Sequence, residues 1–297
     1  MQPKSRTIVF FGTEDFSAAS LEALLAADYS IAAVVTKPDS KRGRGRTLTA
    51  PPVKRIAEAH SIPVWQPQKL AEILPNLQRL VNPVGVLVSY GKIIPSSIIE
   101  CFSPGIINVH PSLLPKYRGP SPIESAILHG DSSTGISIMQ LTKAMDAGPV
   151  YAQKEYSLNG SETGVDLYKK FAQEGAKLLL ATLPDILSGT PPKPQDSAAA
   201  TYCPLLTKQD GQLSPDNLTA SECERRVRAF LLFPKARLSL YGHECIILKA
   251  HTQKNSPTTE LGVQCKDNQY LIIDELIAPS GKRMSSPAFM RGYALGQ

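Results

Sequence analysis

The feature that most constrains this chain is a β-branched run that ends at a proline. Residues 105–110 read Gly-Ile-Ile-Asn-Val-His, a composition that predicts a short buried strand. Pro111 lacks the N–H that a sheet ladder needs, so the strand is expected to end there. Alternate residues of a strand share a face, which puts Asn108 and His110 side by side. Ligand crevices of open α/β sheets form beyond the carboxyl ends of strands, so both side chains are predicted to line one.

A third candidate, Asp146, lies in the glycine-ended turn Ala144-Met-Asp-Ala-Gly148. A single histidine near a strand end is more often a structural residue held by hydrogen bonds. An amide, an imidazole and a carboxylate together can stabilise an oxyanion, donate a proton and orient a nucleophile. We therefore predict that Asn108, His110 and Asp146 form one catalytic site, whose chemistry needs neither a metal nor a nucleotide.

The first half of the chain alternates between predicted strands and helices. Strands are predicted over 7–11, 31–35 and 84–89, and a helix over 15–26. This alternation predicts an α/β fold with a doubly wound, mostly parallel, Rossmann-like sheet. Tyr90 and Gly91 directly follow the strand 84–89, so they are expected to line the same crevice as His110. The alternative is that Tyr90 only caps the core.

A dinucleotide cofactor is excluded by the turn between the first strand and helix. The chain has no Gly-x-Gly-x-x-Gly there. Glu14 and Asp15 occupy the expected helix N-terminus, where their carboxylates compete with a phosphate for the same amides and helix dipole.

The composition changes after residue 188. Ser188-Gly-Thr-Pro-Pro-Lys-Pro194 is typical of a proline-stiffened linker. A helix over 219–232 and several short strands over 236–276 then predict a small, OB-like β-barrel. We expect three segments: a catalytic domain over 1–188, a linker over 189–204 and a C-terminal β-barrel domain over 205–297.

The net charge of +6 comes from one segment. Residues 37–55 contain a single acid, Asp39, and seven basic side chains: Lys37, Lys41, Arg42, Arg44, Arg46, Lys54 and Arg55. Glycines between the arginines predict a mobile loop whose guanidinium groups can close on a phosphate backbone. A charge run is usually just a solvated loop, which is the alternative.

The cysteines and the apolar runs indicate the compartment. The five cysteines are twenty residues or more apart and form no Cys-x-x-Cys pair, which suggests neither zinc nor a disulfide framework. No segment approaches the ~20 apolar residues of a membrane helix. The apolar run before Gly12 is too short for a signal peptide. We expect a cytoplasmic protein with no membrane association and with reduced, structural cysteines.

The motif Asn108-x-His-x-Ser-Leu-Leu-Pro-x-Tyr-Arg-Gly119, followed by the Asp146-x-Gly turn, resembles the folate-dependent formyltransferases. Nearly the whole chain is similar to the methionyl-tRNA formyltransferase family. Three further motifs carry this likeness: Phe11-Gly-Thr-Glu-Asp-Phe16, the basic stretch Lys37–Lys54, and Ser89-Tyr-Gly-Lys-Ile-Ile-Pro95.

The resemblance implies transfer of a formyl group from the co-substrate 10-formyltetrahydrofolate to the α-amine of methionine on initiator tRNA. It implies that Asn108, His110 and Asp146 are the catalytic trio. Folate binding is implied for Ser112, Leu113, Leu114 and Pro115, with Tyr90 and Gly91 in the pterin region. The basic loop, through Lys41, Arg42, Arg44 and Arg46, and the C-terminal barrel are implied to bind tRNA, and the protein is expected to be a monomer.

Three alternatives are open at this point. Enzymes that formylate a nucleotide-linked amino sugar share the central motif and can carry a small C-terminal domain. A glycinamide ribonucleotide formyltransferase shares the motif without the linker and barrel. A small amine needs no arginine–glycine arm, so the segment Lys37–Lys54 argues against both. A noncatalytic RNA-binding relative would have no reason to keep Asn108, His110 and Asp146 together.

Overall fold

The computed structural model describes residues 6–42 and 47–294, except the side chains of Arg42 and Ala294. Its strands are β1 (Ile8–Gly12), β2 (Ile31–Val35), β3 (Ser40–Arg42), β4 (Thr47–Thr49), β5 (Val64–Trp65), β6 (Val84–Val88), β7 (Ile106–His110), β8 (Ser133–Gln140), β9 (Val150–Ser157), β10 (Arg237–Leu240), β11 (His243–Gln253), β12 (Gly262–Gln264), β13 (Tyr270–Ile277) and β14 (Arg283–Ser285).

Its α-helices are α1 (Asp15–Ala26), α2 (Pro52–Ala59), α3 (Leu74–Leu77), α4 (Ser96–Ile99), α5 (Pro122–His129), α6 (Gly164–Ser188), α7 (Ala220–Ala229) and α8 (Ser286–Phe289). Short 3-10 helices cover Leu70–Ile73, Ser197–Ala199 and Lys208–Gly211, and a π-helical turn covers Met290–Ala294. Among these described helices, none combines the length and apolar character that crossing a bilayer requires.

The larger sheet has seven strands in the order β5-β2-β1-β6-β7-β8-β9. The first five strands of that order pair in parallel, and β8 runs antiparallel to β7. The predicted mostly parallel, Rossmann-like α/β sheet is confirmed. β7 therefore lies where the sheet changes from parallel to antiparallel pairing.

The core of this sheet begins at β1, an unbroken apolar run whose five residues are all buried. Such runs are typical of parallel strands that are covered on both faces. The ring of Phe11 meets those of Tyr90 and Phe102 edge to face, each with centroids 5.8 Å apart. The hydrophobic core thus extends beneath the carboxyl edge at which β6 ends.

The C-terminal strands form a separate antiparallel sheet. Its order is β10-β11-β13-β12, and β14 pairs with the other part of β13. Cys223 and Val227 of α7 are buried in its core with Leu238, Ile247 and Leu271. The predicted small C-terminal β-domain is confirmed, and its antiparallel strands form a half-barrel.

The described residues divide into two compact units. The first draws on Met1–Gly119, Gly135–Tyr156 and Tyr168–Tyr202, and the second on Pro120–Thr134, Ser157–Leu167 and Cys203–Gln297. Within the second unit α5 packs against α7, and Arg225 Nε donates to the Leu128 carbonyl at 2.9 Å. Most of the segment 189–204 belongs to the first unit. The predicted division into a catalytic domain over 1–188, a linker over 189–204 and a C-terminal domain over 205–297 stays a prediction.

An ion-pair cluster ties α6 to β9 in the first unit. The carboxylate of Glu174 accepts hydrogen bonds from Lys154 Nζ at 2.7 Å, Lys177 Nζ at 2.7 Å and the Tyr156 hydroxyl at 2.8 Å. These bonds, led by that from Lys154, lower the pKa of Glu174 from 4.5 to about 2. A lowered carboxyl pKa stabilises the fold above the unfolded value, and the contribution is lost as the pH falls toward the folded value.

Replacing Glu174 with Gln is expected to lower the free energy of unfolding at pH 7 by about 1 kcal/mol, since both lysines are largely exposed and solvent screens the pairs. The difference between wild type and variant should shrink below pH 4.5, where wild-type Glu174 of the unfolded chain is protonated. Urea unfolding at pH 7 and again below pH 4.5 measures both values. An equal loss at the two pH values would contradict the ion-pair explanation.

Candidate active site

β7 presents the two polar side chains at the carboxyl edge of the parallel strands. Asn108 lies opposite Leu87 of β6 and Met139 of β8, and His110 lies opposite Ser137 of β8. As residues i and i+2 of one strand, Asn108 and His110 share a face. Asn108 is 6% exposed and His110 5% exposed. The imidazole is therefore largely shielded from bulk water, and electrostatic interactions are stronger in this less polar environment than in water.

The two ring nitrogens of His110 have different partners. Nε2 lies 2.9 Å from the backbone carbonyl oxygen of Tyr117. A carbonyl oxygen only accepts hydrogen bonds, so Nε2 must carry a proton. Nδ1 faces Asp146 Oδ2 at 3.8 Å, which is within ion-pair range but too long for a direct hydrogen bond. Nδ1 is thus the ring nitrogen left for proton transfer.

Asp146 is held in a turn that fixes its carboxylate near the ring. Its φ of 47° is left-handed, a conformation that costs a non-glycine residue roughly 1–3 kcal/mol. Gly119 N–H donates to Asp146 Oδ2 at 2.8 Å. Two residues later, a Cβ on Gly148 would collide with the carbonyl oxygen of Gln140, so only glycine fits there. The surrounding contacts thus hold the turn in one shape, and the strained residue is the predicted catalytic aspartate.

The Ser112–Pro115 loop is anchored by side chains of two neighbouring strands. Ser137 Oγ of β8 donates to the Ser112 carbonyl at 2.7 Å and accepts from the Leu114 N–H at 3.1 Å. Gln153 Nε2 of β9 donates to the Leu114 carbonyl at 2.8 Å. The loop thus has a fixed backbone shape directly after His110.

The residues after β6 split into a buried and an exposed group. Tyr90 is 1% exposed, and burial raises its pKa to about 12, so its phenol does not exchange protons near neutral pH. The phenol lies in the core, beside Phe11, and the prediction that Tyr90 lines the crevice stays a prediction. Gly91 follows with a left-handed φ of 71°. Ile93 is 88% exposed, and Met145, the residue before Asp146, is 59% exposed.

The cysteines and acids of the described residues form no obvious metal site. No group of three or more His, Cys, Asp or Glu side chains in 6–42 and 47–294 is arranged to hold an ion. The five cysteines are free thiols, and four of them are buried. Burial raises the pKa of Cys223 to about 12, which keeps that thiol protonated and unreactive.

Comparison with known proteins identifies the family. A formyl transferase model matches residues 5–183, and a model of the formyl transferase C-terminal domain matches residues 205–294. Methionyl-tRNA formyltransferase of Myxococcus xanthus (strain DK1622) is 38% identical over 301 residues, which cover 97% of this chain and 95% of the relative. That of Halorhodospira halophila is 41% identical over 257 residues, covering 86% and 83%. The chain belongs to the methionyl-tRNA formyltransferase family.

The fold of this formyltransferase also resembles a solved structure. The N-formyltransferase of Helicobacter canadensis, in complex with folinic acid and dTDP-3-aminofucose, gives a TM-score of 0.67 at 20% identity. The match covers 90% of this chain and 98% of that one. At this identity the likeness concerns the fold alone.

The basic segment of the formyltransferase contains two short strands that the sequence analysis did not predict. β3 and β4 pair antiparallel, so residues 40–42 and 47–49 are strands; the mobility expected for the arginines and glycines between them stays a prediction. Lys41 is exposed in the middle of β3. Arg44 and Arg46 lie outside the described residues, as does the side chain of Arg42.

The base of this strand pair is fixed by a hydrogen-bonded ion pair. Lys54 Nζ donates to both oxygens of Asp39, at 2.9 and 3.0 Å, and to Gln66 Oε1 at 2.9 Å. Gln66 Nε2 donates in turn to Asp39 at 2.8 Å. The bonds from Gln66 and then Lys54 lower the pKa of Asp39. Lys54 therefore supports the strand pair and is not available for a phosphate.

Several residues that shape the site were not singled out by sequence reasoning. Tyr117 and Arg118 lie within the central motif, so their position in it was the available signal. The others reach the site from distant strands or from the predicted linker, and no local pattern marks them: Ser137, Gln153 and Gln195.

Proposed function

We propose that this chain transfers the formyl group of 10-formyltetrahydrofolate to the α-amine of methionine on initiator tRNA, which yields N-formylmethionyl-tRNA. The observation that carries the proposal is the His110–Asp146 pair beside Asn108 at the carboxyl edge of β7. The names of the curated relatives support the same acceptor.

The chemistry assigns one role to each catalytic side chain. The neutral amine attacks the formyl carbon, and the carbonyl becomes a tetrahedral oxyanion. The Asn108 amide and the protonated His110, through Nδ1, donate hydrogen bonds to that oxygen. Asp146 keeps the imidazolium charged and takes the proton of the new ammonium, directly or through a water. The proton that Asp146 accepted passes to the leaving folate nitrogen as the bond between that nitrogen and the formyl carbon breaks. No proton is gained or lost overall.

The residues around the site suit a folate. The flat pterin is apolar on its faces, and Ile93 and Met145 expose large apolar side chains on the two loops that lead to the site. The Ser112–Pro115 loop offers a backbone held in one shape by Ser137. Tyr90 and Gly91 contribute their backbone to this binding, since the phenol is in the core.

The tRNA is proposed to contact both parts of the chain. Lys41, Arg42, Arg44 and Arg46 of the basic segment neutralise phosphates, which gives affinity with little dependence on sequence. The C-terminal half-barrel is the second tRNA-binding element of the domain plan 1–188, 189–204 and 205–297. A chain that acts on charged tRNA works in the cytoplasm, and we propose that it does so as a monomer.

Incubation with labelled 10-formyltetrahydrofolate and two competing amines tests this function. Methionyl-tRNA is offered beside a UDP-linked amino sugar, and uncharged tRNA serves as the control. Label is expected on methionyl-tRNA and on neither of the other two. Label on the sugar with none on methionyl-tRNA would assign the chain to the alternative class of formyltransferase.

A further inference from the structure

The segment expected to be a plain linker packs on the catalytic motif. The backbone of Lys193 pairs with that of Val150 at the start of β9. Farther along, Thr201 accepts the Arg118 N–H on its carbonyl and the Tyr117 N–H on its hydroxyl, both at 2.9 Å. Residues 193–201 are thus fixed against both the central motif and the sheet.

Within this segment, Gln195 connects the motif to the turn of Asp146. Its Nε2 donates to the carbonyl oxygens of Asp146 at 2.8 Å and Gly148 at 2.6 Å. Its Oε1 accepts from Arg118 Nε at 3.1 Å and Nη2 at 2.9 Å. Carbonyls only accept and a guanidinium only donates, so the orientation of the amide is fixed by chemistry. Both of its hydrogens and both oxygen lone pairs are used.

Arg118 is itself immobilised. Arg118 is only 3% exposed, and its Nη1 donates to the Tyr202 hydroxyl at 3.2 Å. The guanidinium carbon lies 5.9 Å from the centre of the Tyr202 ring, within range of a cation–π interaction. Gln195 therefore bridges a rigid cation on one side and a strained turn on the other.

We propose that Gln195 is a positioning residue for formyl transfer. It holds the carbonyls of residues 146 and 148 so that the Asp146 carboxylate faces His110 Nδ1, and it touches no reacting atom. This inference rests on the proposed function, in which Asp146 keeps His110 charged. It extends the catalytic machinery beyond the residues matched by the N-terminal family model, which end at 183.

The test uses two substitutions of similar size. Gln195→Glu keeps an acceptor for Arg118 but loses both donors to the turn, and Gln195→Met removes the donors without adding charge. Both are expected to lower kcat on the order of 10- to 100-fold, the effect of a misplacement near 1 Å, with smaller changes in both KM values. Gln173→Glu, at an exposed position of α6, makes the same charge change and should leave kcat unaltered. Wild-type kcat in both Gln195 variants would overturn the proposal.

A double-mutant cycle separates positioning from general destabilisation. If Gln195 acts through Asp146, then Gln195→Met should add little to the defect of Asp146→Asn. Fully additive defects would overturn the proposal, because a merely structural loss is independent of the carboxylate.

A substrate-free measurement separates this proposal from the proposed function. Backbone amides of residues 144–148 should exchange hydrogen faster in Gln195→Met than in wild type, while β1 and β7 keep their protection. Unchanged exchange in that turn overturns the positioning role even if formylation occurs. If the turn exchanges faster in Gln195→Met but the wild type does not formylate methionyl-tRNA, the proposed function is wrong. The role of Gln195 in holding the turn is then still supported.

Discussion

Asp146→Asn is expected to lower kcat for formyl transfer roughly 10²- to 10⁴-fold, the range of a lost acid–base group. The amide has nearly the same shape, and its oxygen can still accept the Gly119 N–H that now binds Oδ2 at 2.8 Å. The negative charge opposite His110 Nδ1 disappears, so the imidazolium loses its counter-ion and the ammonium proton loses its acceptor. Single-turnover formylation of methionyl-tRNA measures the effect.

Folate binding should survive the same substitution. The Ser112–Pro115 loop is anchored by Ser137 and Gln153, and neither of them touches Asp146 in the described hydrogen bonds. The dissociation constant of the folate is therefore expected to change little. Asp185→Asn on the exposed side of α6 is the matched control. Near-normal turnover of Asp146→Asn would remove this carboxylate from the mechanism.

Replacing Arg42, Arg44 and Arg46 together with Ala is expected to weaken methionyl-tRNA binding about 10- to 100-fold at low salt, through the loss of phosphate contacts. The slope of log Kd against log salt should fall by about 3, one for each contact removed. At saturating tRNA the chemical step should proceed at the wild-type rate, because these residues do not act on the formyl group.

The matched control for this triple variant removes three other exposed cations: Arg79, Lys169 and Lys170. It has the same net charge, so a general electrostatic effect would weaken tRNA binding equally in both proteins. A gel-shift titration over a salt series makes the comparison. Equal affinities of the two triple variants would refute a special role of the basic segment.

The parts of the fold that sequence reasoning predicted are those with a local pattern. Residues 15–26 form α1, and residues 31–35 form β2, at the predicted bounds. β7 covers Ile106–His110, one residue shorter at its start than predicted. In each case the spacing of apolar residues reports burial directly, since it depends only on neighbours along the chain.

The parts that were missed depend on partners far away in the sequence. The pairing of β3 with β4 was not predicted, and the bonds that fix its base join Asp39 to Lys54 and Gln66, 15 and 27 residues farther along the chain. The burial of Tyr90 depends on how Phe11 and Phe102 pack around it. Gln195 reaches Asp146 across 49 residues, a separation at which polar side chains leave no periodic signal.

The bond from His110 Nε2 to the Tyr117 carbonyl has a consequence for how this site can vary. An imidazole whose Nε2–H is bound to a carbonyl oxygen exchanges protons through Nδ1 alone. The hydrogen that Nδ1 offers to the formyl oxygen is then the same one that faces the Asp146 carboxylate, so the oxyanion and the aspartate share one donor. A change at either partner therefore acts on both, because displacing the carboxylate also alters how the ring meets the formyl oxygen.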